Sequence, residues 1–163
     1  MIPKIIHYCW FGKEPFPYEV EHCINSWKEK LPDYTFKLWN EINSPVHHPF
    51  YKGAMNCRKY AFAADYVRLY ALERYGGIYL DTDMFLLKSL DKLLDCDFFI
   101  GEEAKGRFGF GILGSVNSSP IIKSFLQYYD SIQYNHESPP IITFALTKRF
   151  KQIELELSKE VDI

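Results

Sequence analysis

The sequence predicts an α/β domain with a largely parallel sheet flanked by helices. Short apolar segments typical of buried strands alternate with longer amphipathic segments, which is the order of β-α-β units. An apolar run that follows two consecutive glycines ends in two aspartates, as expected for a strand whose carboxyl end meets a ligand. The 163 residues are 47% hydrophobic and 17% aromatic, enough for the core of a single domain over residues 1–163.

Hydrophobic periodicity and turn residues define the first elements. Residues 4–10 alternate as a strand, and a proline-rich turn connects them to a helix over residues 18–30. A second strand over residues 35–39 is followed by a loop. The segment 58–75 is rich in alanine and leucine and is predicted to be a helix capped by Gly76. The basic pair Arg58 and Lys59 is interpreted as the start of this helix.

The later elements follow the strand of the double glycine. Short strands are expected over residues 97–100 and 109–114, and a helix over residues 120–132. A loop over residues 135–140 precedes helices over residues 141–150 and over the charged tail. In a sheet of this order, ligands lie beyond the carboxyl ends of the parallel strands.

The strand of the double glycine ends in an Asp-x-Asp motif. Side chains alternate along a strand, so Tyr79, Asp81 and Asp83 are expected on one face, with the two aspartate Cα atoms ~7 Å apart. Two carboxylates this close repel each other unless a cation or hydrogen-bond donors lie between them. Carboxylate oxygens suit Mg²⁺ or Mn²⁺, whose remaining ligands are phosphates and water. The motif predicts a divalent metal and a phosphate-bearing substrate; the alternative is a pair of solvated turn residues.

Three kinds of site share the Asp-x-Asp spacing. A helix-loop-helix calcium loop requires an acidic or amide residue at position 85 and glycine at position 86, whereas this chain has Phe85 and Leu86. An aspartyl phosphatase usually begins its fold with the motif, whereas a helix and two strands are predicted before Asp81, so this alternative is disfavoured. The favoured kind is the metal and nucleotide site of sugar-nucleotide transferases.

Asp65 and Arg68 are three residues apart on the predicted helix and therefore point the same way. An isolated pair of this kind is commonly a surface ion pair worth about 0.2–0.5 kcal/mol. Alternatively, alanine-rich packing buries the pair and leaves a desolvated carboxylate and guanidinium to bind sugar hydroxyls. The residues alone leave both interpretations open.

The chain resembles glycosyltransferase family 32. The resemblance is carried by segment 61–83, Ala-Phe-Ala-Ala-Asp-Tyr-Val-Arg-Leu-Tyr-Ala-Leu-Glu-Arg-Tyr-Gly-Gly-Ile-Tyr-Leu-Asp-Thr-Asp, and by segments 3–12 and 26–40, which match the amino-terminal pattern of the family. This family includes bacterial capsular-polysaccharide transferases and fungal outer-chain mannosyltransferases. It is similar to the glucosyltransferase domain of large clostridial toxins.

The resemblance implies a fold of the GT-A type, which is a nucleotide-sugar-binding α/β domain, and a role for each matching residue. The tryptophan that ends the first strand stacks on the nucleotide base. The helical carboxylate binds ribose or sugar hydroxyls, and the arginine binds the transferred sugar or the diphosphate. The implied donor-binding residues are Trp10, Asp65, Arg68, Tyr79, Asp81 and Asp83, of which Asp83 and Asp81 hold Mn²⁺ or Mg²⁺, while the implied catalytic residues are Asp83, Arg68 and Asp65.

The implied function is a metal-dependent hexosyltransferase of polysaccharide biosynthesis. The enzyme would move a sugar from a nucleotide-diphosphate donor, expected to be a UDP-sugar, to a saccharide or lipid-linked acceptor with retention of anomeric configuration. Glu102 and Glu103 are the acidic candidates for the acceptor side, with solvated loop charges as the alternative. We expect a cytoplasmic protein with at most peripheral contact with the inner face of the membrane. The alternative function is a truncated, catalytically weak protein that binds nucleotide sugars.

Two departures from the family pattern bear on this expectation. Relatives often carry an asparagine that contacts the donor sugar within the segment 107–115, where this chain has Gly109 and Phe110. The family chain usually continues past a proline-threonine segment, here residues 138–143, to a stretch with histidine and tryptophan near the metal. We therefore expect a domain that is short or truncated at its carboxyl terminus.

Composition excludes several other classes of function. A net charge of −2 without a long basic stripe argues against a nucleic-acid partner. No apolar stretch reaches the roughly 18 residues of a membrane span, and the amino terminus lacks the pattern of a signal peptide. Since the cysteines lack zinc spacing, we expect them to be reduced core residues; they are Cys9, Cys23, Cys57 and Cys96. His7 is expected in the core, and His47 and His48 are rejected as zinc ligands.

Overall fold

The computed structural model describes the backbone of residues 1–161 and the side chains of residues 1–154. The strands and helices follow one another in α/β order. They are β1 (Ile5–Cys9), α1 (Tyr18–Lys30), β2 (Thr35–Trp39), α2 (Pro49–Asn56), α3 (Tyr60–Tyr75), β3 (Gly77–Leu80), β4 (Phe98–Ala104), β5 (Arg107–Ser115), α4 (Pro120–Asp130) and α5 (Ile142–Val161), with a short 3-10 turn at Asp91–Leu93.

Within the described residues, one five-stranded sheet has the order β2-β1-β3-β5-β4. β1 pairs in parallel with both β2 and β3, whereas β5 is antiparallel to β3 and to β4. Four strands therefore point the same way and β5 alone is reversed, which confirms the prediction of a largely parallel sheet flanked by helices. The carboxyl ends of β1 and β3 meet at one edge of the sheet, where the predicted ligand site is expected.

Helices cover both faces of this sheet. On one face, α2, α3, α4 and α5 pack over a core that includes Leu69, Leu113 and Phe125. On the other face, α1 packs through Trp27 against Ile78 and the neighbouring strands. On the face with four helices, α3 is buried along most of its length, including the charged residues Asp65 and Arg68. The ion pair of this helix is therefore not a surface pair.

A tight turn joins α3 to β3. Gly76 and Gly77 have φ angles of +63° and +109°, which side chains with a Cβ rarely adopt. A Cβ on Gly77 would lie 2.6 Å from the carbonyl oxygen of Ile5, so the neighbouring strand also leaves no room for one. The double glycine therefore allows the chain to pass directly from the buried helix α3 into the central strand β3. The helix ends before Gly76, as predicted.

Several elements differ from the prediction, and β4 and β5 both extend further than expected. α2 begins within the loop expected up to residue 51 and was not predicted, because eight residues give too short a pattern to detect. α3 begins at Tyr60, so Arg58 does not start the helix. β3 ends at Leu80, which places both aspartates of the motif in the following turn. α5 is one continuous helix rather than two.

The cysteines divide into two groups. Cys9 and Cys23 are buried, as expected, whereas Cys57 and Cys96 are exposed, so the prediction of four core cysteines is wrong for these two. Both exposed residues lie in turns next to polar neighbours, where their spacing carries no periodic signal. All four thiols are free.

His7 is fully buried in β1, as predicted, and both ring nitrogens have partners. Its Nε2 donates to the carbonyl of Gly76 at 2.8 Å, and its Nδ1 accepts from the indole of Trp39 at 3.1 Å. Burial, opposed by the bond to Gly76 and assisted by Lys37, lowers the pKa of His7 to about 4. The neutral ring therefore satisfies both neighbours, whereas a protonated Nδ1 would oppose the indole N–H.

The stability of the protein is expected to fall as the pH drops from about 6.5 to about 4. In this window the unfolded chain binds a proton at His7 and the folded chain does not, so acid favours unfolding. Since each pKa unit corresponds to about 1.4 kcal/mol, His7 alone should remove about 3 kcal/mol from the free energy of unfolding. Urea unfolding of the wild type and of His7→Gln at several pH values checks this. A variant that loses as much stability in acid as the wild type would contradict it.

Candidate active site

A cleft of about 1330 Å³ opens at the edge of the sheet where β1 and β3 end. Its walls come from the loop after β1, from α3, from the turn after β3 and from the β4–β5 hairpin. All six residues predicted to bind the donor line this one cleft, and they are Trp10, Asp65, Arg68, Tyr79, Asp81 and Asp83. The fold thus brings together residues that are up to 73 positions apart in the sequence.

Arg68 lies at the base of the cleft with its guanidinium almost fully buried. Its Nη2 lies 2.7 Å from Asp65 Oδ1 and 3.4 Å from Asp81 Oδ1. Its Nη1 donates to the carbonyl of Phe110 at 2.6 Å, and its Cζ lies 4.6 Å from the centre of the Tyr79 ring. One guanidinium therefore connects α3, β5 and the turn after β3. This is the buried arrangement rather than the surface ion pair.

Two carboxylates, Asp65 and Asp81, share this one guanidinium. Burial raises the pKa of Asp65 to about 7, and Asp81 adds to the rise while Arg68 opposes it. Burial by itself disfavours the charge on Arg68, but the nearby anionic groups, Asp81 first, raise its pKa above the usual value. Arg68 is therefore always charged. Any cation that binds Asp81 would reduce the negative charge near Asp65 and favour its ionised form.

The Asp-x-Asp motif forms a turn rather than the end of a strand. The backbone N–H of Asp81 donates to the carbonyl of Gly111 at 2.8 Å, and Met84 N–H donates to the carbonyl of Asp81 at 3.0 Å. Tyr79 donates its hydroxyl hydrogen to Asp81 Oδ1 at 3.1 Å, so these two side chains share one side of the chain as predicted. Asp83 is exposed at the cleft. Asp81 is thus oriented by the protein, whereas Asp83 faces solvent.

The two aspartates fit a divalent cation of the hard class. In the part of the chain that the structure describes, no group of three or more potential ligands comes together. Two carboxylates are nevertheless the number that proteins commonly offer to Mg²⁺, and substrate phosphates and water complete the shell. Asp81 Oδ1 is engaged by Tyr79 and Arg68, so Asp83 is the less encumbered ligand.

Trp10 lines the cleft from the loop that follows β1. Its indole N–H donates to the carbonyl of Glu14 at 2.8 Å, and its ring contacts Phe16 edge to face, with the ring centres 5.2 Å apart. These contacts hold the ring in place while leaving it half-buried at the cleft. Nearby, Gly12 N–H donates to Glu41 at 2.5 Å; its φ is +86°, and a Cβ at this position would lie 2.9 Å from the Tyr60 ring.

Two basic side chains of the cleft were missed as site residues. Arg58 lies in the turn between α2 and α3 with a φ of +54°, a conformation that costs free energy for a residue with a Cβ. It lines the cleft, as does Lys13. A positive φ leaves no sequence signal in an arginine, which is why the helix-start interpretation failed.

The β4–β5 hairpin forms the side of the cleft assigned to the acceptor. Glu102 and Glu103 both line the cleft. Glu102 accepts from the N–H of Gly106 at 2.5 Å, and Glu103 pairs with Arg107 at 2.8 Å, so both carboxylates also stabilise the hairpin. Phe110, one of the two residues expected where relatives carry asparagine, buries its ring and offers its carbonyl to Arg68.

Gly111 determines how much room the Asp81 carboxylate has. A Cβ at this position would lie 2.9 Å from Asp81 Oδ2 and would clash with the terminal methyl of Met84. Gly111→Ala is therefore expected to displace the carboxylate and to weaken Mn²⁺-dependent UDP binding roughly tenfold, as changes in the support of metal ligands do. Calorimetric titration of the variant checks this.

The double variant Gly111→Ala/Met84→Ala is the control for that prediction. It removes the clash with the methionine but leaves the contact with Asp81. A double variant that regains wild-type affinity would show that Asp81 was not displaced.

The described part of the chain contains no helix that is both long and apolar enough to cross a membrane.

His48 is engaged structurally, with its Nε2 2.8 Å from Asp130 and its ring stacked on Tyr66. Through His48, these contacts connect α4 to α3.

Comparison with known proteins gives consistent matches. The family described as "Glycosyltransferase sugar-binding region containing DXD motif" matches residues 17–99. Inositol phosphoceramide mannosyltransferase 3 of Schizosaccharomyces pombe is 27% identical over 143 residues, which are 85% of this chain and 40% of the relative. Mannosyl phosphorylinositol ceramide synthase CSH1 of Saccharomyces cerevisiae is 30% identical over 140 residues, with 78% of this chain and 36% of the relative covered. The chain thus spans less than half the length of these relatives.

Among solved structures, PaToxG glycosyltransferase superimposes with a TM-score of 0.65 at 20% identity, covering 97% of this chain and 74% of that one. This likeness shows the fold, which is of the GT-A type as the resemblance implied. The family match covers more than half of the chain and includes α3, β3 and both aspartates of the motif. The chain belongs to the family of glycosyltransferase sugar-binding regions that contain the DXD motif.

Proposed function

We propose that residues 1–163 act as a single glycosyltransferase domain that transfers a hexose from a nucleotide-diphosphate donor, taken to be a UDP-sugar. The observation that carries this proposal is the convergence of the six predicted residues in one cleft at the carboxyl edge of the sheet. Membership of the DXD family supports it. The location proposed for this activity is the cytoplasm, at or near the inner face of a membrane.

The donor would lie across the cleft with its base at Trp10 and its diphosphate at the motif. A planar indole that is held at its N–H and at one edge offers a face for stacking. Asp65 would accept hydrogen bonds from ribose or sugar hydroxyls, and Tyr79 would contribute to the wall beside it. Arg58 and Lys13 add positive charge to a cleft that must receive a dianion.

Asp83 and Asp81 would hold Mn²⁺ or Mg²⁺, with Asp83 as the direct ligand. A bound cation of this kind supplies Lewis-acid stabilisation of the charge that develops on the leaving diphosphate. Arg68 acts by fixing Asp65 and Asp81 relative to each other, since its guanidinium contacts both. Preorganised charges of this kind lower the barrier because they need no rearrangement during the reaction.

We propose that transfer proceeds with retention of configuration. The acceptor hydroxyl attacks the anomeric carbon on the face from which the diphosphate leaves, the bond from that carbon to the phosphate oxygen breaks, and a phosphate oxygen takes the hydroxyl proton. Two of the cleft carboxylates, Asp65 and Asp81, are engaged by Arg68, which argues against either as a free nucleophile. Proton NMR of the product anomer tests this step.

The acceptor is proposed to be a saccharide or a lipid-linked glycan. The two yeast relatives bear names that refer to mannosyl transfer and to inositol phosphoceramide, which supports a lipid acceptor and makes mannose a candidate for the transferred sugar. Glu102 and Glu103 at the hairpin side of the cleft are the candidates for contacting the acceptor.

The deciding experiment is calorimetric titration of UDP with Mn²⁺ present and then absent, followed by assays of UDP-sugar hydrolysis. We expect binding that depends on Mn²⁺ and donor turnover well above background. Binding without turnover would favour the catalytically weak binding protein, and no binding under either condition would contradict the assignment of a UDP donor.

A further inference from the structure

A second, smaller cavity lies beside the cleft, between the tip of the β4–β5 hairpin and the first half of α5. Its volume is about 430 Å³, and three of its lining side chains are the cations Arg107, Lys148 and Lys151. Thr143 lines both this cavity and the large cleft, so the two openings adjoin on the hairpin side. The proposals above assign no role to this cavity.

The charges around this cavity leave an excess of positive potential. Arg107 pairs with Glu103 at 2.8 Å, which offsets one of the cations. Lys151 Nζ donates to the carbonyl of Gly106 at 2.7 Å, a contact that positions the ammonium without neutralising it. Lys148 is exposed in the same wall. The lining of the cavity thus holds three cations and no carboxylate, and Glu102 and Glu103 adjoin it at the hairpin, so cations outnumber carboxylates here although the chain carries a net charge of −2.

Large apolar side chains stand beside these cations. Phe144, in the first turn of α5, is 62% exposed, although the other side of this helix packs against the core; Ile141, the residue before the helix, is 48% exposed. The guanidinium carbon of Arg107 lies 5.6 Å from the centre of the Phe144 ring. An exposed aromatic ring with a guanidinium against it and further cations nearby suits a boundary that is apolar on one side and anionic at its surface.

We propose that this basic and apolar rim, made of Arg107, Ile141, Phe144, Lys148 and Lys151, docks the protein on an anionic lipid surface. The apolar pair enters the region of the headgroups and upper acyl chains, while the cations pair with headgroup phosphates. Lysine and arginine suit such a boundary because their stems are apolar and their charged ends reach the polar layer. A free anion would use the cations but not the two apolar side chains, which is why a lipid surface is the better occupant.

Docking in this way has a consequence for the cleft. Because Thr143 belongs to both openings, the hairpin side with Glu102 and Glu103 would turn towards the membrane. An acceptor anchored in that membrane would approach the side proposed for it, which is the one point at which this inference rests on the proposed function. Docking itself depends only on the rim and requires neither donor nor turnover.

The test is flotation of the full chain with vesicles of phosphatidylcholine alone and of phosphatidylcholine mixed with phosphatidylglycerol. We expect binding to the mixed vesicles that weakens as salt is added. Lys148→Glu/Lys151→Glu should reduce it roughly tenfold or more, since each basic residue near such a surface contributes measurably. Phe144→Ser should also weaken it without any change of charge.

The matched control is Lys88→Glu/Lys92→Glu, which makes the same change of net charge at exposed positions beside the core on the other face of the sheet. This variant should bind the mixed vesicles like the wild type. Equal losses in both double variants, or no binding of the wild type, would overturn the proposal.

Inorganic phosphate distinguishes a small-anion site from a lipid surface. If phosphate at modest concentration releases the protein while equal ionic strength of chloride does not, and if Phe144→Ser has no effect, the cavity binds free anions and the lipid proposal is wrong. Circular dichroism and Mn²⁺-dependent UDP binding of each variant show whether it folds and whether the donor site works, so failure of docking and failure of the proposed function remain distinguishable.

Discussion

Asp83→Ala is expected to abolish Mn²⁺-dependent binding of UDP while the folded state persists. Asp83 is exposed in the turn after β3, so its removal leaves no buried cavity and no orphaned charge. Asp81, whose Oδ1 is already engaged by Tyr79 and Arg68, is a poor sole ligand. The apparent affinity for UDP with Mn²⁺ should fall by more than about a hundredfold, beyond the effect of altering a mere supporting residue.

Calorimetric titration with and without Mn²⁺ measures this effect, and thermal unfolding confirms the fold. Asp95→Ala is the matched control, because it removes the same charge from another exposed turn. The control should bind as the wild type does. An unchanged affinity in Asp83→Ala would remove Asp83 from the metal site and with it the central part of the proposed function.

The second large effect is expected at Arg68. Replacing it with methionine leaves Asp65 and Asp81 facing each other and leaves the carbonyl of Phe110 without its donor. Breaking a buried ion pair from one side typically costs about 3–5 kcal/mol, because the remaining charge is uncompensated. Urea unfolding should show a loss of this size, and UDP binding should be lost as well, since Asp81 is no longer held in place.

Two further variants separate charge from geometry at this position. Arg68→Lys keeps the charge but has no planar fork to contact both carboxylates, so we expect partial stability and little donor binding. Asp65→Asn/Arg68→Met removes one of the two carboxylates together with the cation and should be more stable than Arg68→Met. If Arg68→Met were as stable as the wild type, Arg68 would not be the residue that holds Asp65 and Asp81 together.

Much of the fold was accessible from the sequence because its signals are local. The helix of α1 and the strand of β2 match their predicted bounds, since each has a clear apolar period and clear flanking turn residues. α2 was missed because a helix of eight residues gives too short a periodic pattern in a single sequence. The motif aspartates were placed on a strand because alternation does not reveal where the last sheet hydrogen bond lies.

The sequence also predicts several residues that line the cleft, but only through the motifs that it shares with the family. The structure brings all six residues that the family motifs predict for the donor site to one cleft, and their individual roles stay predictions; these residues are Trp10, Asp65, Arg68, Tyr79, Asp81 and Asp83. Arg58 was instead predicted to start a helix, because the sequence shows neither its positive φ angle nor its position at the cleft.

By itself, the sequence determined the alternation of strands and helices, the double glycine between α3 and β3, and the carboxylates beyond the central strand. Each of these depends on residues close together in the chain. Only the tertiary structure decided that Asp65 and Arg68 form a buried pair rather than a surface one, and that Arg68 also contacts Asp81 and the carbonyl of Phe110. Burial depends on what packs from distant segments, which no local pattern contains.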